Sequence, residues 1–183
     1  KYECYYFIAD LHSLTEDFTP REITDLIIEL SADYVAAGLD PSTSLSAGPK
    51  KSTIFLQSLI PAHSELAWIF NTITPMGELS RMTQFKEKGG ANFLSEKKYS
   101  MNLGSVNAGL FTYPILMAAD ILLYDASYVP TGDDQDQHIE LTRTLARKFN
   151  ARFGKTFIEP KGLHTELPRV MSLHNSKKKM SKS

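Results

Sequence analysis

Cys4-Tyr5-Tyr6-Phe7-Ile8-Ala9 is the stretch on which the fold turns. It is continuously apolar and aromatic, with no polar alternation. It therefore reads as a strand buried on both faces, as in parallel sheets. The strand runs from Tyr2 to Ala9, and Asp10-Leu11-His12 follows at its C-terminal end, where open α/β sheets collect their ligands. A helix then starts cleanly. Thr19 is its N-cap, Pro20 its first residue, and Glu22, three after the cap, completes a capping box. Ile23, Leu26, Ile27, Leu30 and Tyr34 recur at helical spacing, Gly38 ends the run, and Asp40-Pro41 prevents its continuation.

The alternation continues along the chain. Ser52 to Gln57 is a second strand, and Pro61 to Thr72 a helix carrying Leu66, Trp68, Ile69 and Phe70. Gly77 to Lys88 reads as another helix, and Gly89 to Gly104, with adjacent glycines and weak periodicity, as a mobile loop. Val106 to Tyr124 is the strongest helical stretch, with Pro114 expected to kink it. Ser127 to Pro130 is a short strand, and Gln135 to Phe153 an amphipathic helix with Ile139, Leu141, Leu145 and Phe149 inside. From Gly154 onward, short extended pieces mix with loops. Strands alternating with helices define an α/β protein with a doubly wound parallel sheet and helices on both faces. The chain opens on a strand with no preceding cap, so the expectation is a domain spanning residues 1–183 and incomplete at its N-terminus.

Composition narrows the function. The 183 residues are enough for one core; 42% are hydrophobic and 22% charged, as in ordinary globular proteins. The single cysteine, Cys4, rules out an intramolecular disulfide and disfavours a structural zinc site, which suits a reducing compartment. No stretch has the length of a membrane span and no signal-peptide pattern is present. A net charge of −1 argues against a broad nucleic-acid-coating face.

Three segments hold residues with chemical potential. The first is the tail, Lys177-Lys178-Lys179-Met180-Ser181-Lys182-Ser183, whose cations and hydroxyls suit phosphate oxygens; alone, it also reads as a solvated basic tail. The second, Thr131-Gly132-Asp133-Asp134, sits between a strand and a helix. Gly132 admits close approach to the backbone, and the two carboxylates suit ribose hydroxyls or, more simply, cap the helix. The third is Asp120, inside Met117-Ala118-Ala119-Asp120-Ile121-Leu122-Leu123-Tyr124. A carboxylate among such neighbours needs a partner if buried: an arginine, a backbone donor, or a ligand N–H. Tyr113 and Met117 share its face. No nucleophile–base pair, HExxH or GxxxxGK motif is present, and His12, His63, His138, His164 and His174 are expected in surface or capping roles.

Together these segments resemble the class I aminoacyl-tRNA synthetases, and within them the tryptophanyl enzymes. Lys179 to Ser183 spells the KMSKS signature. Gly77 to Lys86, Met117 to Tyr124, the run from Pro130 to Arg143 and Arg169-Val170-Met171-Ser172-Leu173 follow the family's segments in order over nearly the whole chain. The resemblance implies a Rossmann-like catalytic domain that activates L-tryptophan with ATP and charges tRNA(Trp). It further implies that Asp120 accepts the indole N–H, that Tyr113 and Gln135 hold the amino-acid end, and that Met117 packs on the ring. Gly132, Asp133 and Asp134 would contact ATP at the ribose and Val170 the adenine. Met180 and Ser183 would lie near the nucleotide, with Lys179, Ser181 and Lys182 catalytic on the departing pyrophosphate and Mg2+ on the phosphates. A homodimer, with Trp68 and the Gly77–Lys88 helix as interface candidates, and a cytoplasmic or organellar location are further implications. Departures are a missing HIGH element, a longer Gly89–Asn107 connector, Thr131 in place of valine, and no anticodon-reading C-terminal domain. The alternatives are a fragment that binds tryptophan or ATP without turnover, and the tyrosine-specific relative.

Overall fold

The computed structural model describes residues 2–39, 52–83, 107–132 and 135–164. The chain divides into two compact units, residues 1–63 and 64–183.

In the first unit, β1 (Cys4–Ile8) pairs in parallel with β2 (Ser52–Leu56), with Cys4 opposite Ser52 and Ile8 opposite Leu56. Parallel pairing requires a crossover, and α1 (Asp10–Ser13) and α2 (Pro20–Tyr34) lie in it. The capping box forms as expected: Glu22 N donates to Thr19 Oγ1 at 3.3 Å and Thr19 N to Glu22 Oε2 at 2.7 Å. The helix ends in a turn at Val35–Leu39, where Gly38 takes φ +86°, the left-handed conformation that only glycine adopts without strain. Ile23, Ile27, Leu30 and Tyr34 are the half-buried apolar residues of α2, whereas Leu26 is exposed.

One expectation needs correction here. β1 is not buried on both faces: Tyr5 and Tyr6 are exposed, and Ile8 is its buried residue. Among the described residues β1 has β2 as its neighbour, so the pair is a two-stranded ribbon; Tyr5 and Phe7 share one face and Tyr6 and Ile8 the other, and each face is exposed at the tyrosine and covered towards the strand's C-terminal end. The cover over Phe7 is aromatic. Phe7 and Phe55 stack with centroids 5.5 Å apart, and the fully buried His63 ring lies 5.8 and 6.0 Å from them. His63 is thus a core group, contrary to its expected surface role. Beyond the strands, Leu11 N donates to Gln57 Oε1 at 3.2 Å and Ser58 N to Asp10 Oδ1 at 3.0 Å. The two strand ends therefore cap each other, and buried Gln57 has its carbonyl oxygen satisfied.

The second unit is a helical core with a strand pair at its margin. α3 (Ala62–Ile73), α4 (Met76–Leu79), α5 (Ala108–Leu122) and α6 (Asp136–Phe153) contribute Leu66, Phe70, Leu79, Ile115, Ala118, Ala119, Leu122, Leu141, Leu145 and Ala146 to one buried cluster. Phe70, Phe149 and Phe157 meet edge to face with centroids 4.8–6.1 Å apart. Asn107 Oδ1 caps α5 by accepting from Leu110 N at 2.8 Å, and the helix continues through Pro114. The expected Gly77–Lys88 helix breaks after Leu79. Ser80–Met82 form tight turns, and the N–H and hydroxyl of Thr83 both donate to Gln137 Oε1 at 2.9 Å, while Gln137 Nε2 donates to Arg81 O at 3.1 Å. A side-chain amide of α6 has replaced the helical partners of that backbone.

The outer face of α6 carries Glu140, Arg143 and Arg147, which pair with one another and with Glu159 at 2.9–3.5 Å. These groups are substantially exposed, so each pair contributes less than about 1 kcal/mol, and the apolar stripe holds the helix. Gly154 (φ +94°) ends α6, and Asn150 clasps the returning chain through Thr156 N, Phe157 N and Phe157 O. This return delivers β4 (Lys161–Leu163) parallel to β3 (Tyr128–Pro130). The α/β class with parallel strands is as the sequence indicates; among the described residues the strands form two two-stranded sheets. No helix among the described residues is long and apolar enough to cross a membrane. The Gly89–Gly104 loop and the tail from Thr165 lie outside the described residues.

Two predictions follow from local chemistry. Hydrogen bonds from Thr19 hold the Glu22 carboxyl below its ordinary range, so the cap is intact above the usual glutamate titration and is lost as pH falls through the lowered value. Thr19→Ala should cost about 1 kcal/mol in urea unfolding near neutrality, and the difference should shrink in acid. Thr131 Oγ1 is buried with no hydrogen-bond partner among the described residues. Thr131→Val should therefore leave the thermal midpoint unchanged or raise it; a marked drop would show that the hydroxyl is bonded.

Candidate functional site

The site is built on α5. Tyr113, Met117 and Asp120 stand at i, i+4 and i+7, so the helix period alone lines them on one face. Their surroundings grade from half-buried to buried: Tyr113 and Met117 are intermediate, and Asp120 is 5% exposed, between Ala119 and Ile121. The outcome is a stripe with a hydroxyl at one end, a thioether in the middle and a carboxyl at the other, on an otherwise apolar helix. A carboxyl oxygen offers only acceptors when ionised, and a thioether offers a soft contact surface to a ring.

A second element supplies the polar end. At the C-terminal end of β3 the chain leaves through Thr131 and Gly132, with Thr131 N donating to Leu163 O at 3.2 Å. Gly132 O then accepts from Gln135 N at 2.9 Å, which turns the chain into α6 with Gln135 at its cap. Ligand-binding groups of parallel α/β sheets sit at this strand-to-helix handover. His164 Nε2 lies 3.2 Å from Asp136 Oδ1, joining the residue after β4 to the first residue of α6.

α5 and α6 meet at Tyr113. Its hydroxyl lies 2.7 Å from His138 Nε2, with ring centroids 5.4 Å apart. Burial pushes the Tyr113 hydroxyl up to about 12, so it keeps its proton throughout the physiological range. His138 is 2% exposed. The expectation of a surface or capping role for it is overturned because it occupies the buried stripe of α6 with Leu141, Thr142 and Leu145. The spacing of 138 to 141, 142 and 145 was the signal available in the sequence. Since His138 follows Gln135 by three, the Tyr113 hydroxyl is brought to the first turn of α6, on the face that Gln135 begins.

Of the expected site residues, Tyr113, Met117, Asp120, Gly132 and Gln135 are described. Asp133, Asp134, Val170, Lys179, Met180, Ser181, Lys182 and Ser183 lie outside the described residues. A separate depression of about 460 Å3 is lined by Thr72, Ile73, Thr74, Pro75, Lys148 and Arg152. It contains none of the expected residues, and its Lys148 is already held by Glu78 at 2.6 Å. The chemistry of the α5 stripe, rather than cavity size, marks it as the candidate site.

Comparison with known proteins gives the family. The family described as tRNA synthetases class I (W and Y) matches residues 1–183. A tryptophan–tRNA ligase of Caldanaerobacter subterraneus subsp. tengcongensis is 52% identical over 183 residues, covering all of this chain and 50% of the relative. The chain thus spans about half the length of the curated relatives it matches. Tryptophanyl-tRNA synthetase from Mycoplasma pneumoniae superposes with a TM-score of 0.80 at 40% identity, over 97% of this chain and 48% of that one. The Campylobacter jejuni enzyme, solved with ADP and tryptophan, gives 0.77 at 35% identity over 96% of this chain and 49% of that one. With a family match from the first residue to the last and a fold shared with these solved Rossmann-type domains, the chain belongs to the class I tRNA synthetases of the W and Y family.

Proposed function

We propose that residues 1–183 form the catalytic domain of a tryptophan–tRNA ligase. It activates L-tryptophan with ATP to tryptophanyl-adenylate and passes the tryptophanyl group to tRNA(Trp). The observation that carries this reading is Asp120, a carboxyl 5% exposed, in line with Met117 and Tyr113 on an apolar helix. Indole complements it: one N–H donor on an otherwise apolar, polarisable ring. A ring without that donor forgoes this bond, which selects indole over an unsubstituted aromatic ring. The relatives' names agree with tryptophan as the amino acid.

In this reading Met117 packs on the indole, and Tyr113 and Gln135 hold the amino-acid end. Gly132, Asp133 and Asp134 bind the ATP ribose, Val170 the adenine, and Met180 and Ser183 flank the nucleotide. An oxygen of the tryptophan carboxylate attacks the α-phosphorus, the bond to the bridging oxygen breaks, and pyrophosphate leaves with that electron pair. Lys179, Ser181 and Lys182 bind the departing pyrophosphate, the two ammonium groups offsetting its charge and the Ser181 hydroxyl donating a hydrogen bond. No protein nucleophile takes part, so rate enhancement comes from positioning and charge stabilisation. Mg2+ enters on the ATP phosphates, its usual mode, where it offsets phosphate charge. Among the described residues no cluster of three or more His, Cys, Asp or Glu side chains forms a cage for it. We place the protein in the cytoplasm as a homodimer, with Trp68 of α3, 71% exposed beside Ile69, in the dimer contact.

Titration calorimetry should show L-tryptophan binding that Asp120→Ala weakens at least about a hundredfold. ATP–pyrophosphate exchange should depend on L-tryptophan and not on L-tyrosine. Binding without exchange would reduce the chain to a non-catalytic binding fragment, and unchanged affinity in Asp120→Ala would remove that residue from the site. In sedimentation experiments Trp68→Glu should shift dimer to monomer; a wild-type monomer at high concentration would exclude this contact.

A further inference from the structure

We infer that His138 is a positioning residue for amino-acid binding: its Nε2 accepts the hydrogen bond of the Tyr113 hydroxyl and so commits the phenol oxygen to accept from the substrate's α-ammonium group. The inference deepens the proposed function and rests on its placement of Tyr113 at the amino-acid end of tryptophan, which it narrows to the ammonium group.

Tyr113 Oη lies 2.7 Å from His138 Nε2, with the donor set by the His138 tautomer. That length suits a bond donated by a hydroxyl and is at the short end of the range for bonds donated by N–H, so we take the tautomer with the proton on Nδ1. A phenol has one proton and two acceptor positions. With its proton held by the imidazole, only acceptor capacity is left, and an ammonium is a donor only. A hydroxyl free to rotate would present its proton to the ammonium part of the time. One fixed in advance needs no reorientation when substrate arrives.

The imidazole is itself held. His138 is 2% exposed, its ring tilts at 37° against the Tyr113 ring, and its carbonyl accepts from buried Thr142 Oγ1 at 2.8 Å. A ring so enclosed cannot swing away from the hydroxyl without opening the α5–α6 contact. Burial keeps the phenol protonated, consistent with its role as donor.

The test uses the whole chain and three probes: L-tryptophan, tryptamine, which has the ammonium but no carboxylate, and indole-3-propionate, which has the carboxylate but no ammonium. His138→Phe keeps an aromatic ring in the core but cannot accept. It should weaken L-tryptophan and tryptamine about ten- to a hundredfold, as for loss of a hydrogen bond to a charged group, and leave indole-3-propionate unchanged. His138→Gln, whose side-chain oxygen can reach the position of Nε2, should recover most of that loss. Tyr113→Phe should show the same selectivity, and adding His138→Phe to it should cost nothing more. Asp120→Ala should weaken all three probes, which tests indole recognition separately. Equal weakening of all three probes in His138→Phe, or no change in any, would overturn the role of His138 while leaving the tryptophan site standing. A wild-type chain that binds none of the three would remove both.

Discussion

The close contact between α5 and α6 is the constraint on which the site depends. Ala118 and Ala119 on one helix face a cluster that includes Leu145 and Ala146 of the other, and all four are 0% exposed. Small side chains let the helices approach, and close approach excludes water. A carboxyl one residue beyond that seam, at Asp120, is then necessarily buried, and a tyrosine two turns before it necessarily meets the first turn of α6. The candidate recognition groups are therefore set by packing, with helices rather than loops holding them.

The same contact explains why charge contributes little to this architecture. The ion pairs of α6 with Glu159 sit on its wet face, where screening and side-chain entropy offset most of their attraction. The aromatic trio of Phe70, Phe149 and Phe157 and the clasp of Asn150 fix where the chain returns. That return sets β4 beside β3, and β3 in turn presents Thr131 and Gly132 to the start of α6. Packing, return and handover are successive consequences of one apolar stripe.

Much of this was legible in the sequence. The capping box at Thr19, the glycine stop at Gly38, the β3-to-α6 handover and the shared face of Tyr113, Met117 and Asp120 depend on neighbours within a turn or two, which periodicity reports directly. The misreadings all involve partners distant in sequence. β1 looked doubly buried because apolar content does not reveal how many strands lie beside it. The helix from Gly77 breaks after Leu79, and the Thr83 N–H beyond the break is bonded by a glutamine 54 residues later. His63 and His138 looked superficial because a lone histidine carries no local mark of the aromatic group that will cover it. Their burial follows from tertiary contact, and only the spacing of His138 to Leu141 and Leu145 hinted at it.

Gln137 gives the fold a further property. Its amide is clamped at both ends to the backbone of Arg81 and Thr83, and it lies between Gln135 and His138. The first turn of α6 is thus bolted to a bend more than fifty residues earlier in the chain. Strain imposed on that bend has a direct route, through a single side chain, to the turn that carries His138 and meets the Tyr113 hydroxyl.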